Sequence, residues 1–277
     1  MKKILVPIDF SEHSEYALEV AAQIAKSNDA EIVALHMMGL SEAVLTKDDS
    51  QEVLEAMYYM KLAEKRFSEF LGKDYLKDIK VHTTVQNYKI FTEIDALAKE
   101  FNADLIVMGS HGSSGIREVF VGSNTEKVVR TSSIPVLVIK NRIINFEIDK
   151  MVFACDFSLD YVPAFKKARE FAAMFNSKFQ LLYINTPERF KRTSEMQERA
   201  FKFLTQAEGN SMDLYDEISY FCDSTIEDGI FTFSNAYGAD AILIPTHGRR
   251  GLAHFFTGSI GEELVNHSTI PVITFKI

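Results

Sequence analysis

The residues with the clearest capacity for chemistry lie between Gly109 and Ser123, in the order Gly-Ser-His-Gly-Ser-Ser-Gly-Ile-Arg-Glu-Val-Phe-Val-Gly-Ser. An apolar run at 105–108 precedes them, and a helical pattern begins at Asn124. A glycine-rich loop between the carboxyl end of a strand and a helix can direct backbone N–H groups at an anion. The stretch therefore predicts an anion site, and phosphate is the usual ligand of such a loop.

A second copy of this loop follows later in the chain. It reads Pro245-Thr-His-Gly248, then nine residues, then Gly258-Ser259. Pro245 stands where the first copy has Gly109, and proline has a fixed φ and no N–H donor. If that position needs a positive φ or a donor to phosphate, the second site is weakened or lost. Arg249 and Arg250 add positive charge there, although such a pair more often belongs to a solvated face.

Composition limits the classes of function. The chain has 277 residues, 47% hydrophobic and 25% charged, which suits about two globular domains. A net charge of -9 argues against nucleic acid or an anionic membrane surface as the main partner. The first residues fit neither a signal peptide nor a membrane span, so we expect a cytoplasmic protein. The two cysteines, Cys155 and Cys222, are expected to be reduced thiols.

Short apolar runs alternate with helical patterns along the first half. This alternation predicts a parallel sheet covered on both faces, because each strand is apolar nearly throughout. The segment between the second and third strands predicts a long helix with Met57, Met60 and Phe67 on one stripe, packed in the core rather than forming a ligand lid. The predicted strands cover residues 3–9, 31–37, 81–85, 104–108 and 134–139.

The second half repeats the first. Asp9-Phe10-Ser11 matches Asp156-Phe157-Ser158 at an offset of 147, and after the second strand the offset becomes 136, as for Asp104 and Asp240. Helical spacing predicts that one apolar stripe of the first helix faces the core, and the first offset repeats it. The stripe is Ala17, Leu18, Ala21, Ile24 and Ala25, matched to Ala164, Phe165, Ala168, Phe171 and Ala172. We therefore place one domain at 1–143 and another of the same ancestry at 148–277. The short connection between them is not predicted to be a flexible tether.

The last strand of each half is an apolar edge strand that needs a cover. The two runs are 134–139 and 270–277. We predict that they pair antiparallel about a pseudo-two-fold axis, which makes the chain an internal dimer. A homodimer of whole chains is left open.

The glycine spacing, the opening Pro7-Ile8-Asp9 and the closing Ile-Pro-Val strand together resemble the universal stress protein family in a tandem form, over nearly the whole chain. The resemblance implies an α/β fold of two tandem, doubly wound, five-stranded parallel-sheet domains, Rossmann-like and similar to the adenine nucleotide alpha hydrolases. For the nucleotide-binding branch it also implies ATP, or the related AMP or ADP, with or without magnesium.

Each candidate site residue also has a plainer structural reading. Glycines favour positive φ and close approach of a phosphate, but can serve only the turn. Asp9 can accept from a ribose hydroxyl or from the base, or merely cap the first helix. His111 can touch phosphate, yet a loop histidine more often bonds backbone. Ser123 can bind oxygen or serve only a capping box with Glu126.

The expected nucleotide lining combines these residues with the methionines that end the second strand and with positions that only the resemblance supplies. Backbone and side chains of Met37 and Met38 can contact adenine. The resemblance adds Pro7, Ile8, Met108 and Asn124. The full predicted set is Pro7, Ile8, Asp9, Met37, Met38, Met108, Gly109, His111, Gly112, Gly122, Ser123 and Asn124.

Two functions fit this sequence. The first is a stress-response protein that binds adenine nucleotide in its N-terminal half and acts in signalling or as a scaffold. The second is a nucleotide-free module for dimerisation and partner docking. An ATP-hydrolysing enzyme is not expected, because the sequence offers no convincing general base or dedicated magnesium ligands.

Overall fold

The computed structural model describes residues 1–37, 49–86, 93–110, 123–209, 213–246 and 268–277, with the side chains of 49–56 and 123 left aside. These residues form two compact units. Among them, 1–37, 49–86, 93–110, 123–128 and 138–146 belong to the first unit. The second unit contains 129–137, 147–209, 213–246 and 268–277.

The first repeat alternates strands and helices, with the strands in the order β3-β2-β1-β4-β5. Strand β1 lies between β2 and β4 and runs parallel to both, and β2 also pairs parallel with β3. The elements are β1 (Lys3–Pro7), α1 (Glu12–Asn28), β2 (Glu31–Met37), α2 (Asp49–Phe70), β3 (Val81–Gln86), α3 (Ile94–Glu100), β4 (Leu105–Gly109), α4 (Ser123–Thr131) and β5 (Val136–Ile139).

The second repeat has the same strand order, β8-β7-β6-β9-β10, with β6 parallel to β7 and β9. Both halves therefore have the 3-2-1-4-5 order of a doubly wound sheet, and the predicted fold class is confirmed. The elements are β6 (Lys150–Ala154), α5 (Val162–Met174), β7 (Lys178–Asn185), α6 (Thr193–Glu208), β8 (Ser219–Cys222), α7 (Ile226–Tyr237), β9 (Ala241–Thr246) and β10 (Val272–Lys276).

Matched hydrogen bonds confirm the repeat register that the sequence predicts. The backbone N–H groups of Lys2 and Lys3 donate to the Asp104 carboxylate over 2.6 and 3.1 Å. In the second repeat, Asp240 accepts from two N–H groups at the start of β6, both over 2.9 Å. Each aspartate thus ties the beginning of its fourth strand to the beginning of its first strand.

The first helix of each repeat buries the same stripe. Spacings of three and four residues place these apolar side chains on one helical face, which packs against the sheet. Every predicted position on both stripes is buried, namely Ala17, Leu18, Ala21, Ile24 and Ala25 in α1 and Ala164, Phe165, Ala168, Phe171 and Ala172 in α5.

Helix α2 corrects one expectation. Phe67 is 3% exposed, as predicted for a core residue, but Met57 and Met60 are 51% and 47% exposed. The helix buries Ala63 and Phe67, one turn apart, whereas all of residues 57–62 are exposed. Core packing was therefore the wrong prediction for the two methionines, because the apolar stripe extends beyond the part of α2 that packs on its unit.

The connection after β5 is fixed to α1. The Arg142 guanidinium donates two hydrogen bonds to the Glu19 carboxylate, over 2.8 and 3.1 Å. The Gln23 amide donates to the Ile143 carbonyl over 3.1 Å and accepts from the Phe146 N–H over 2.7 Å. This bonding confirms the prediction that the connection is no flexible tether.

Candidate functional site

The carboxyl end of β1 is held in a tight turn at Asp9. One Asp9 carboxylate oxygen accepts from the Ser11 N–H over 3.0 Å and from the Ser11 hydroxyl over 2.6 Å. The Ser11 hydroxyl oxygen in turn accepts from the Ser14 N–H over 3.2 Å and caps α1. The plainer reading of Asp9, as a residue that stabilises the start of α1, is therefore part of its role.

Phe10 makes this turn with a backbone conformation that is uncommon for a residue with a side chain. Its φ is 64°, in the left-handed region. Aromatic packing holds the ring: His36 lies 4.6 Å away, and Phe67 and Phe70 of α2 lie 5.2 and 5.6 Å away, centroid to centroid. The Arg66 guanidinium lies 5.5 Å from the same ring. Helix α2 thereby fixes the turn that presents Asp9.

His36 joins the aromatic cluster to Ile8, the residue that follows β1. Its Nδ1–H donates to the Ile8 carbonyl over 2.7 Å, which sets the tautomer because a carbonyl can only accept. Burial lowers the pKa of His36 below its ordinary value of 6.5, and the hydrogen bond to Ile8 acts in the opposite direction. The imidazole is therefore a neutral structural group next to the candidate site.

The second repeat builds the same turn. Phe157 has a φ of 56°, and the Ser158 N–H donates to the Asp156 carboxylate over 2.9 Å. The Phe157 ring lies 5.8 Å from Tyr183 and 5.6 Å from Phe203. These are the positions that the offsets of 147 and 136 match to His36 and Phe67. The aspartate turn and its aromatic support are thus a feature of the repeat.

Gly109 does not have the positive φ that the sequence suggested, and it has a packing role that the sequence did not predict. Its φ is not positive; it is the last residue of β4. A Cβ at this position would lie 2.7 Å from both the carbonyl carbon and oxygen of His13, in the first turn of α1. The glycine is needed for close packing of β4 against α1. In addition, the Thr125 hydroxyl of α4 donates to the Gly109 carbonyl over 2.8 Å.

Pro245 fits its strand without a positive φ. It pairs with Phe275 of β10, whereas the register of β9 with β6 ends at Leu243. A proline is tolerated in a strand where the ladder does not require its N–H. The turn Leu159–Tyr161, which the repeat matches to the start of α1, is a 3-10 helix. The second repeat thus has a proline ring at the position where the first repeat leaves no room for a Cβ atom.

A cavity in the second repeat shows what the predicted lining positions enclose. Its volume is about 40 Å³, and it lies among the carboxyl ends of β6, β7 and β9 and the helix α7. Five of its eight lining residues match predicted site residues of the first half: Ala154, Cys155, Asp156, Ile184 and Ile244 correspond to Pro7, Ile8, Asp9, Met37 and Met108.

The described part of the first repeat places most of its predicted residues at one edge of the sheet. Ile8 and Met108 are buried at 3% and 5% exposure, and Pro7, Asp9 and Met37 are partly exposed at the carboxyl ends of β1 and β2. Gly109 ends β4, and Ser123 and Asn124 begin α4. Met38, His111, Gly112 and Gly122 lie outside the described residues, as does the side chain of Ser123.

Sequence reasoning missed the support of the site. It assigned no role to Phe10 or His36, although both lie within two residues of a predicted lining residue. The recurrence of Asp-Phe-Ser was the available signal, because a phenylalanine kept between the same neighbours in both copies points to a specific turn. No sequence rule reveals that this turn places phenylalanine at positive φ.

Neither a metal cluster nor a membrane helix is found in the described ranges. No group of three or more His, Cys, Asp or Glu side chains among the described residues could hold a metal ion. No helix in that part of the chain is both long and apolar enough to cross a bilayer. Both cysteines are free thiols, with Cys155 buried and Cys222 exposed.

The fold and the recurring aspartate turn define two tandem α/β domains of the kind that bind ligands at the carboxyl ends of parallel strands. The model of the universal stress protein family matches residues 1–140 and again 147–276. The chain therefore belongs to the universal stress protein family, with two copies of its domain in tandem.

Individual relatives agree with this assignment. A universal stress protein of Methanocaldococcus jannaschii is 33% identical over 152 residues, which cover 50% of this chain and 82% of that protein. A second one from the same organism is 30% identical over 157 residues, 51% of this chain and 96% of its own length. The crystal structure of a universal stress protein from Archaeoglobus fulgidus covers 99% of this chain and 98% of its own, with a TM-score of 0.66 and 21% identity. That last match shows the same fold over both repeats.

Proposed function

We propose that this protein binds ATP or a related adenine nucleotide in its N-terminal half and acts as a cytoplasmic stress-response protein, in signalling or as a scaffold. The bound nucleotide would change which partners the protein contacts. Two free thiols suit a reducing compartment. We also propose that it is no enzyme in the ordinary sense, with at most very slow ATP hydrolysis.

One observation supports the proposal: the predicted residues that end neighbouring strands lie at the same edge of the sheet in the described part of the first repeat, namely Pro7, Ile8, Asp9, Met37, Met108 and Gly109. The second-repeat counterparts of five of the twelve predicted residues line one cavity at the carboxyl edge of the sheet. In the first repeat, Asp9 lies at that edge, Ile8 beside it in sequence is buried, and Met108 is buried in β4. An apolar surface beside a hydrogen-bond acceptor suits a purine and its ribose.

Nucleotide binding can be tested directly. The purified protein is denatured and the supernatant is assayed for released adenine nucleotide; separately, ATP, ADP and AMP are titrated with and without magnesium. Ligand at a hundredfold over its dissociation constant adds about 2.7 kcal/mol of stability. Unchanged melting at millimolar ATP, together with no released nucleotide, would contradict the proposal.

Matched glycine variants test which half binds. Gly122 and Gly258 are equivalent in the repeat. We expect Gly122→Val to abolish binding and Gly258→Val to change it little, because a side chain at the helix start of the competent loop obstructs the approach of phosphate. Equal losses in the two variants would contradict the assignment to the first half.

The alternative function is a nucleotide-free docking module, and exposed side chains on α2 favour it. Met57, Tyr58, Tyr59, Met60 and Leu62 are 38% to 65% exposed within six consecutive residues. Exposed apolar side chains in such a group are typical of interaction surfaces. The nucleotide titration separates the two functions, because a docking module binds partners equally well with and without ATP.

We also propose that the two repeats form an internal pseudo-dimer through their last strands. Val136–Ile139 are all buried, and so are four of the five residues of Val272–Lys276. Strands as apolar as these are aggregation hazards when an edge is open. The test is to express residues 1–145 and 146–277 separately: we expect each half alone to self-associate or precipitate, and mixing to restore a soluble pair. Two freely soluble monomers would contradict the pairing.

A further inference from the structure

Helix α2 carries an exposed group of apolar and aromatic side chains, which we call the α2 patch: Met57, Tyr58, Tyr59, Met60 and Leu62. They are 38% to 65% exposed, and Tyr58 is the most exposed. Lys61 between them is exposed as well, so all sides of the helix face solvent over these six residues. A helix that is apolar on all sides is normally buried. The described part of the chain therefore leaves uncovered a surface whose composition suits burial.

The corresponding helix of the second repeat begins differently. Helix α6 also follows the second strand of its repeat, and its residues 193–198 are Thr-Ser-Glu-Met-Gln-Glu. The apolar residue of this stretch, Met196, is 5% exposed and is thus buried within the first turn of the helix. The repeated fold does not itself require exposed methionine and tyrosine at this place. The α2 patch therefore indicates a role that belongs to the first repeat.

The area of the α2 patch suits a weak protein–protein interface. With about 200 Å² for a fully exposed residue of this size, the five residues expose on the order of 500 Å² per copy. Two copies that pair through the patch would offer about 1,000 Å² together, which is the lower limit for a specific interface. Aromatic residues and methionine are also enriched in interfaces. We therefore expect association at micromolar protein concentration rather than an obligate dimer.

The distribution of charge along α2 favours a second copy of the chain as the partner. By sequence, 49–56 contain three acidic residues and no basic one, whereas 61–66 contain three basic residues and one acidic one. Two antiparallel copies of α2 place the acidic stretch of each beside the basic stretch of the other, with Tyr58 near the two-fold axis. The helix dipoles also run in opposite directions in this arrangement. A parallel pair would instead bring like charges together.

We propose that two copies of this protein associate through the α2 patch, with α2 of one copy antiparallel to α2 of the other. The inference gives a partner to the exposed surface on which the alternative function, a docking module, was based. It does not depend on nucleotide binding. It is also distinct from the internal pairing of the two last strands, because that pairing uses β5 and β10 and joins the halves of a single chain.

Sedimentation velocity of the full-length, nucleotide-free protein tests the association over about 1 to 100 μM. Tyr58→Asp places a charge at the centre of the α2 patch, and folding should be unaffected because Tyr58 is 65% exposed. Phe190→Asp is the matched control, because Phe190 is an aromatic residue of the second repeat with 66% exposure. We expect wild type and Phe190→Asp to dimerise alike, and the dissociation constant of Tyr58→Asp to be about tenfold higher or more.

Distances between spin labels test the orientation of the two helices. Glu69 is exposed near the end of α2, and Glu69→Cys supplies the labelling site. Cys222→Ser removes the exposed native thiol, while Cys155 is buried and should not react. At a rise of 1.5 Å per residue, antiparallel helices centred on Tyr58 place the two labels about 33 Å apart along the helix axis. Parallel helices would place them about 10 Å apart.

Each result supports or overturns the proposal. A wild type that stays monomeric at the highest concentration overturns it and assigns the α2 patch to a different protein. A dimer that persists unchanged in Tyr58→Asp also overturns it, because the copies then associate elsewhere. Equal weakening by Phe190→Asp refutes the assignment to the α2 patch, and labels about 10 Å apart refute the antiparallel orientation. Because nucleotide is absent throughout, failure of the proposed nucleotide binding would appear only in the separate ATP titration.

Discussion

Substituting Gly109 by alanine tests whether this glycine serves packing or a ligand. The added Cβ would lie 2.7 Å from the backbone carbonyl carbon and oxygen of His13 and 2.9 Å from its Cβ. Real Cβ atoms do not approach backbone this closely, so β4 or the first turn of α1 must shift. Because the obstacle is backbone, no change of side-chain rotamer can relieve the contact. We expect the folded protein to be less stable even without any nucleotide.

The magnitude follows from two opposing effects. Overpacking a filled site costs about 1–3 kcal/mol. Alanine also restricts the unfolded chain relative to glycine, which returns about 0.4–1 kcal/mol. At their middle values, about 2 and 0.7 kcal/mol, the two effects leave a net loss of about 1–2 kcal/mol for Gly109→Ala. For a domain of about 150 residues, this corresponds to a fall in Tm of roughly 2–8 °C.

Urea unfolding of the nucleotide-free protein provides the measurement. Gly72→Ala is the matched control, because its Cβ would meet its nearest neighbour, the Ser68 carbonyl oxygen, at an ordinary 3.5 Å. We expect the control to be as stable as wild type or up to about 1 kcal/mol more stable, because it gains the same restriction of the unfolded chain without the clash. A Gly109→Ala protein as stable as wild type would refute the packing role. The glycine would then be explained by the ligand loop that the sequence suggested.

Two further predictions concern His36 and the connection between the repeats. Because burial lowers the pKa of His36 below 6.5, the folded chain binds fewer protons than the unfolded chain at acidic pH. The free energy of unfolding should therefore decrease as pH falls through 6.5 towards the folded pKa of His36. The variant His36→Tyr carries the residue of the matched position and should lose less stability than wild type between pH 7.5 and 5.5. Equal losses in the two proteins would contradict this prediction. Gln23→Ala removes both hydrogen bonds to 143–146 and should speed limited proteolysis of that segment. Ser27→Ala is the control, because it removes only hydrogen bonds within α1 and should leave the cleavage rate unchanged. Equal cleavage rates in the two variants would show that Gln23 does not hold the connection.

The fold could be predicted from sequence because each signal reports on burial. The α1 stripe, the apolar strands and the repeat offset all describe which side chains face a core, and the structure confirms them down to the paired Asp104 and Asp240 bonds. The same reasoning failed at Met57 and Met60. Periodicity shows which face of a helix is apolar, but it does not show how far the helix continues past its supporting sheet.

The candidate site was less predictable because its residues act through backbone geometry. Glycine at 109 suggested positive φ, whereas the positive φ near the site belongs to Phe10, which no propensity rule selects. The close approach of His13 to Gly109 joins residues 96 positions apart, so it depends on the packing of α1 rather than on local sequence. Patterns of residue type selected candidate residues that the structure places at one edge of the sheet, but they did not reveal the backbone conformations there.

The comparison of the repeats changes where the difference between them should be sought. The sequence drew attention to Pro245, yet the structure accommodates that proline in β9 with its pairing to β10 intact. The aspartate turn is kept in both halves, with phenylalanine at positive φ in each. What differs beside the turn is the element that follows it: α1 begins at Glu12 in the first half, whereas Leu159–Tyr161 form a 3-10 helix in the second. The glycine position alone therefore does not account for a difference between the two halves, because the chain that follows the aspartate turn differs as well.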